Sequence, residues 1–470
     1  MPTTDEFDAA EAVVHRLGQM RELWEAAASE YFEPNRFLLN LQNCITISRT
    51  VTFILQKQKS KIEGFDEWYE PHRKRLASDP VMKWALEARN SIEKEGDLKT
   101  HSQVRGEIIA SYYEGPASEW VPQALFASPQ QFYRAIPKAF FDVPHIVENG
   151  TLLIERRWVD EQLPNMEVLE ALAHVYGQLA TTVADFCNQL GIKPPAWVLD
   201  SQPDVMGELA MDRALYLSMR DGSRVGIRLF KKQTKIDEKR LKKRYGDQRS
   251  KWERIKSVTS FREFCGAYFN VARSLMAKDG YHHTFTYLLK GLKVVQIIGT
   301  DHPDRASRYV MMRDLAKLAR VLDADGMMMV SEVWTAKAED APSGFAADAK
   351  NRGEALSLVA TNAEGETYAF TAQIVRKKNK KHKVKRLEPT SVLENPALWI
   401  LYPFQRMWGC VDEELMFEAE KQLSDMGVNT NIYAPPENFT TEAQLNPPPS
   451  DQIAPTPPNL PRLGAGRSDT

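Results

Sequence analysis

The chain has 470 residues, 43% of them hydrophobic and 26% charged, and a net charge of −2. That length exceeds what one ordinary core serves, so two or three domains are expected, with enough apolar material for buried interiors. A near-neutral balance supplies no global field toward nucleic acid or membrane, so a charged partner must be recruited by a local patch.

Met1 to Ala10 is acidic and polar, without the basic-then-apolar pattern of a secretory leader. No apolar run approaches the ~18 residues that span a bilayer. Cys44, Cys187, Cys265 and Cys410 lie far apart, among apolar or aromatic neighbours. They read as free thiols in a reducing compartment. A cytoplasmic protein with no membrane partner is expected.

Residues 1–195 read as an all-α bundle. Val13, Leu17, Met20, Trp24 and Ala27 form one helical stripe, and Phe37, Leu41, Cys44, Ser48, Val51 and Leu55 another. Between Ser111 and Arg157 the pattern is less regular, and prolines at 116, 122, 129, 137 and 144 predict short helices and crossing loops. Leu169, Leu172, Tyr176, Leu179, Val183, Phe186 and Leu190 then give an unbroken stripe, with Gly191 as its cap and Pro194-Pro195 as its stop.

Residues 196–434 read as an α+β domain with a mainly antiparallel sheet. Ala214 to Met219 and Arg224 to Phe230 flank Asp221-Gly222, a hairpin signal. A basic helical stretch follows from Asp237 to about Lys256, and then a helix carrying Phe261, Phe264, Tyr268, Val271 and Leu275. Strands are predicted over Thr284 to Leu289, Lys293 to Ile298 and Met327 to Trp334, with a helix between them from Asp304 to Leu322. Leu356 to Ala360 and Thr367 to Val375 form a further hairpin, and a last helix covers Asp412 to Met426. From 435 to 470 there are nine prolines and few bulky residues, a composition that reads as a disordered proline-rich tail. Within it Pro455 to Arg462 could adopt polyproline II and dock in an aromatic groove of a protein partner, or serve only as a loose terminus.

One helix of the first part ends in chemistry-bearing residues. Val81, Trp84, Ala88 and Ile92 give its buried stripe, Gly96 stops it, and Arg89-Asn90 stand near its end with Glu93 and Lys94. Over roughly residues 10 to 190 this arrangement resembles the HEPN family. The resemblance implies a helical bundle in which an arginine, a polar residue and, a few positions on, a histidine cleave RNA without metal. There the arginine would stabilise the phosphate and the histidine would handle the proton. Here Lys94 stands where that histidine is expected, so the resemblance implies an inert module for dimerisation or RNA contact, or a nuclease using Arg89, Asn90 and Lys94. Read without the resemblance, Arg89 and Glu93 make an ordinary ion pair one helical turn apart.

Asp279, His282 or His283, and Glu332 are adequate ligands for a divalent metal, brought together if their strands are adjacent. Successive strand residues face opposite ways, so the two histidines cannot share one site. Asp279-Gly280 also reads as a plain turn, and Asp304 as a helix cap.

Two basic runs remain. Between Arg228 and Lys256 there are 13 lysines or arginines against four acids, and eight of the eleven residues from Arg376 to Arg386 are cationic. The second run, Arg376, Lys377, Lys378, Lys380, Lys381, Lys383, Lys385 and Arg386, would project from a sheet edge as a hairpin tip. It would either contact phosphates or stay solvated and block edge-to-edge strand pairing. No phosphate-binding glycine loop, dinucleotide fingerprint, serine-hydrolase elbow or zincin motif occurs, and no cofactor is indicated. A non-enzymatic interaction or regulatory protein is therefore expected, contacting RNA or DNA through its basic segments and able to form a homodimer through the bundle. The alternative is a nuclease, HEPN-like or dependent on a metal near Glu332.

Overall fold

The apolar stripes become the core of the first part. A computed structural model describes residues 3–112, 119–120, 126–199, 213–225, 238–246, 253, 255–302, 304–378 and 380–428. Helix α1 (Thr4–Ser29) buries Val13, Leu17, Met20, Trp24 and Ala27, and α2 (Pro34–Lys57) buries all six residues of its stripe. Ser48, the polar member, is satisfied by donating to the Ile45 carbonyl at 2.6 Å. Helices α3 (Phe65–Ser78) and α4 (Pro80–Glu95) follow. Asp79 caps α4 by accepting from the Val81 and Met82 amides at 2.8 and 3.1 Å. Short α5 (Pro129–Arg134) and α6 (Pro144–Asn149) occupy the proline-rich stretch. Helix α7 (Val168–Gln189) then runs through the centre of the bundle and ends at Gly191, whose φ of 70° is the left-handed cap the sequence required.

A five-stranded antiparallel sheet is set into this helical part, where the residue pattern pointed to helices and loops alone. Strands β1 (Thr100–Ile109) and β3 (Thr151–Asp160) pair along their whole length; β2 (Glu119–Trp120) extends one side, β4 (Leu163–Glu167) and β5 (Ala214–Ser218) the other. For β3 the physical reason for the difference is burial on both faces. Strand β1 alternates buried and exposed positions at first but buries polar Thr100 and Ser102, so no apolar alternation marks it. Leu152, Ile154 and Trp158 face the helices, while Ile109, Leu153 and Tyr216 face the opposite way into a second core. A strand covered on both sides loses the two-residue alternation that marks a half-exposed one. Strand β5 also lies beyond residue 195, so the hydrogen-bonded unit crosses the expected boundary. Its turn forms at Asp221-Gly222 as expected, and the partner segment beyond Val225 is outside the described residues.

After α8 (Ala196–Leu199) and α9 (Glu238–Tyr245), the second part is α+β, with every strand pairing antiparallel. Strands β6 (Phe285–Lys290), β7 (Lys293–Gly299), β8 (Gly326–Thr335), β9 (Gly353–Asn362), β10 (Thr367–Lys377) and β11 (Lys380–Leu387) line up in the order β11-β10-β9-β8-β6-β7, and β12 (Ser391–Glu394) pairs with β10. Helix α10 (Phe261–Asp279) covers one face through Phe261, Phe264, Cys265, Phe269, Ala272 and Met276. The other face is covered by α11 (Arg305–Val321), capped by Asp304, and α12 (Tyr402–Trp408); α13 (Glu413–Asp425) follows.

Helix α11 is shared. Its apolar side packs on the large sheet and its other side on the small one, where Arg313 pairs with Glu107 at 2.6 Å with both side chains buried. Tyr216 donates to Asp314 at 2.9 Å, and Lys317 reaches Glu155 at 3.3 Å. Among the described residues no helix is long and apolar enough to cross a membrane. The proline-rich segment from 435 lies outside the described residues.

Candidate nucleic-acid interface

The end of α10 anchors two basic segments of the second part. Gly280 adopts a left-handed φ of 84°, which stops the helix immediately after Asp279. Asp279 accepts from Arg244 at 2.6 Å and from the Tyr245 hydroxyl at 2.7 Å, anchoring the basic helix α9. Partial burial raises the Asp279 carboxyl, but the bonds from Arg244 and Tyr245 outweigh it and leave the pKa below the ordinary value. Lys278 adds a cation 5.7 Å from the Tyr245 ring centre.

The next residue anchors the other basic run. The Gly280 carbonyl accepts from Arg376 at 2.8 Å, and the same guanidinium binds Glu332 at 3.0 Å and Glu354. Two basic segments more than a hundred residues apart in sequence are thus fastened to consecutive residues, Asp279 and Gly280. The three carboxylates at the junction, Asp279, Glu332 and Glu354, are all held by Arg244 or Arg376. Lysines extend outward on both arms. Lys239, Lys242 and Lys243 are exposed on α9, as are Lys377, Lys378, Lys383 and Lys385 on the β10–β11 hairpin. Among the described residues none of these seven has an ion pair, whereas Arg386 bonds Glu388 at 2.7 Å. Lys380 and Lys381 lie in the backbone of β11.

The hairpin is therefore where the sequence placed it, but Arg376 is its rivet and not one of its outward cations. Glu332 meets His282 through the backbone amide, 2.6 Å away, while the imidazole turns to the His283 carbonyl. With Arg376 on its other oxygen, Glu332 is already satisfied. Among the described residues no group of three acidic, histidine or cysteine side chains could hold a metal.

Arg89, Asn90 and Lys94 lie in the other part of the molecule. Arg89 pairs with Glu93 at 2.6 Å and donates to Asn90 at 3.2 Å, while Lys94 is exposed. His101 sits on β1 and bonds Glu161 at 3.0 Å. The structure thus gives Arg89 the ion pair one helical turn away, and does not bring it together with Glu332. A cavity of about 300 Å³ opens elsewhere, beside Glu366, Thr367, Gln405, Cys410 and Asp412, and its carboxylate rim is unsuited to phosphate.

A model of the bacteriophage lambda protein ea47 family matches residues 5–421, a span containing both sheets and both basic arms. The chain belongs to the lambda ea47 family. Protein ea47 of Escherichia phage lambda is 31% identical over 336 residues, covering 69% of this chain and 79% of that protein. No solved structure matches. Sequence reasoning missed Arg244, Tyr245 and Asp279 as a unit. The basic run through Arg244 was visible, but nothing in it marks a carboxylate 35 residues further on as its anchor.

Proposed function

We propose that this ea47-family chain is a non-enzymatic interaction or regulatory protein that binds RNA or DNA by its phosphate backbone. One observation carries the reading: α9 and the β10–β11 hairpin converge on Asp279-Gly280, with the local carboxylates neutralised and the lysines left outward. A cationic surface of this kind releases counterions when it meets a polyanion, which supplies affinity without sequence readout. The free thiols support a reducing, cytoplasmic setting. The Arg89 pairing with Glu93 supports a structural role for that helix end, so no cleavage is assigned to it, and homodimerisation through the bundle stays a separate proposal.

The test is fluorescence anisotropy of labelled oligonucleotides across a salt series. Log affinity should fall linearly with log salt. Changing Lys377, Lys378, Lys383 and Lys385 together to glutamate should weaken binding about tenfold or more and flatten the slope by about 0.9 for each duplex phosphate no longer neutralised. An unchanged affinity and slope in that variant would overturn the proposal.

A further inference from the structure

We infer that the polymer taken by this surface is single-stranded, its bases stacking on Trp334 and Tyr281; this rests on the phosphate-binding reading above. The two aromatics flank the same junction. Trp334 follows Glu332 by two residues on β8, so both side chains point to the face that carries α10, about 7 Å apart along the strand. Its cross-strand neighbour is Glu354, which Arg376 binds. Tyr281 follows Gly280 directly and precedes His282, whose amide is fixed to Glu332.

Both rings are open, Trp334 at 45% and Tyr281 at 54% exposure, although large aromatics on this sheet are otherwise mostly covered. Helix α10 stops at Asp279, short of the end of β8, which leaves the Trp334 ring outside the core. The Arg352 guanidinium lies 4.3 Å from the Trp334 ring centre, a stacked cation of the kind on which a base can also lie. Exposed aromatics beside lysines that have no ion pair among the described residues form the arrangement by which single strands are held: cations follow the backbone while the bases lie on the rings. A duplex buries its base faces in its own stack and offers nothing to Trp334 or Tyr281.

The experiment uses the full chain with a 5′-labelled oligo(dT), an oligo(rU) of the same length and a mixed-sequence duplex of that length. The single strands should bind about tenfold or more tightly than the duplex, and comparison of the two single strands tells DNA from RNA. Trp334→Ala and Tyr281→Ala should each lower single-strand affinity by about fivefold to a hundredfold, bringing its ratio to the duplex toward one. Trp334→Phe should restore most of the ratio. Phe417→Ala, on exposed α13 away from the junction, should leave it unchanged. Equal affinity for both forms, or equal losses for both in Trp334→Ala with unaltered circular dichroism, would overturn the inference while leaving phosphate binding intact. Absence of binding to all three probes at low salt would instead remove the phosphate reading beneath it.

Discussion

Glu167 is a buried carboxylate with two duties. Its side chain caps α7, accepting from the Leu169 and Glu170 amides at 2.9 and 3.2 Å, and it lies 3.5 Å from the buried Arg213. Burial pushes its pKa up to about 7, against the pull of Arg213 and the two amides. An acid whose pKa rises on folding holds its proton more tightly when folded. Its contribution is therefore most favourable below the ordinary carboxylate value and is lost as pH rises through about 7. Glu167→Gln keeps an acceptor for the cap and cannot ionise. Urea unfolding should show the wild type losing ground to Glu167→Gln between about pH 5 and pH 8, and a difference that is flat with pH would refute this. Residue roles of this sort were legible only where the partner is near in sequence. The Arg89–Glu93 pair follows from a four-residue spacing, and Asp304 from its place before a helix. Arg376 was legible as a charge but not as a clamp, because its acceptors are 22, 44 and 96 residues away.

Arg376 acts at the scale of elements, since it joins β10 to β9, β8 and the end of α10. Truncating it leaves Glu332 and Glu354, diagonal neighbours on β8 and β9, half-buried without a cation. Arg376→Ala should cost about 1–3 kcal/mol of stability, read from a urea midpoint, and should loosen the hairpin relative to α9. A midpoint equal to wild type would show that the clamp is ornamental. The elements themselves were legible where flanking turns or a clear periodicity marked them, and buried β8 was placed within a residue of its ends. Strands β6 and β7, with solvent along much of β7, and the β9–β10 pair with its tight turn were placed within a few residues. Strand β3 was not, because apolar residues on both faces erase the alternation. Nor was β1, because its buried positions include Thr100 and Ser102, so its burial alternates while its hydrophobicity does not. The α10 stripe was placed in the right helix but slightly rotated: Tyr268 and Val271 are partly buried, while Phe269 and Ala272 form the true contact.

At the scale of the whole molecule, α11 is the keystone between two sheets. The Arg313–Glu107 pair is buried at its centre, so removing one partner strands a charge away from water. Arg313→Leu should destabilise by about 3–5 kcal/mol, and tryptophan fluorescence and circular dichroism should then report noncoincident transitions, as the two parts uncouple. A single unshifted transition would contradict this. That two parts share one helix could not be read from a chain whose charge and hydrophobicity are continuous across the region, because a buried ion pair between remote elements leaves no local pattern.

The shared helix also sets a timetable for synthesis. The small sheet is complete once β5 has emerged, but the helix that covers its second face is finished only about a hundred residues later, at Val321. At ordinary translation speeds that interval is on the order of 5 to 20 seconds. Throughout it Ile109, Leu153 and Tyr216 face water on a nascent chain, a window in which holding chaperones would bind and after which they would have no surface left to hold.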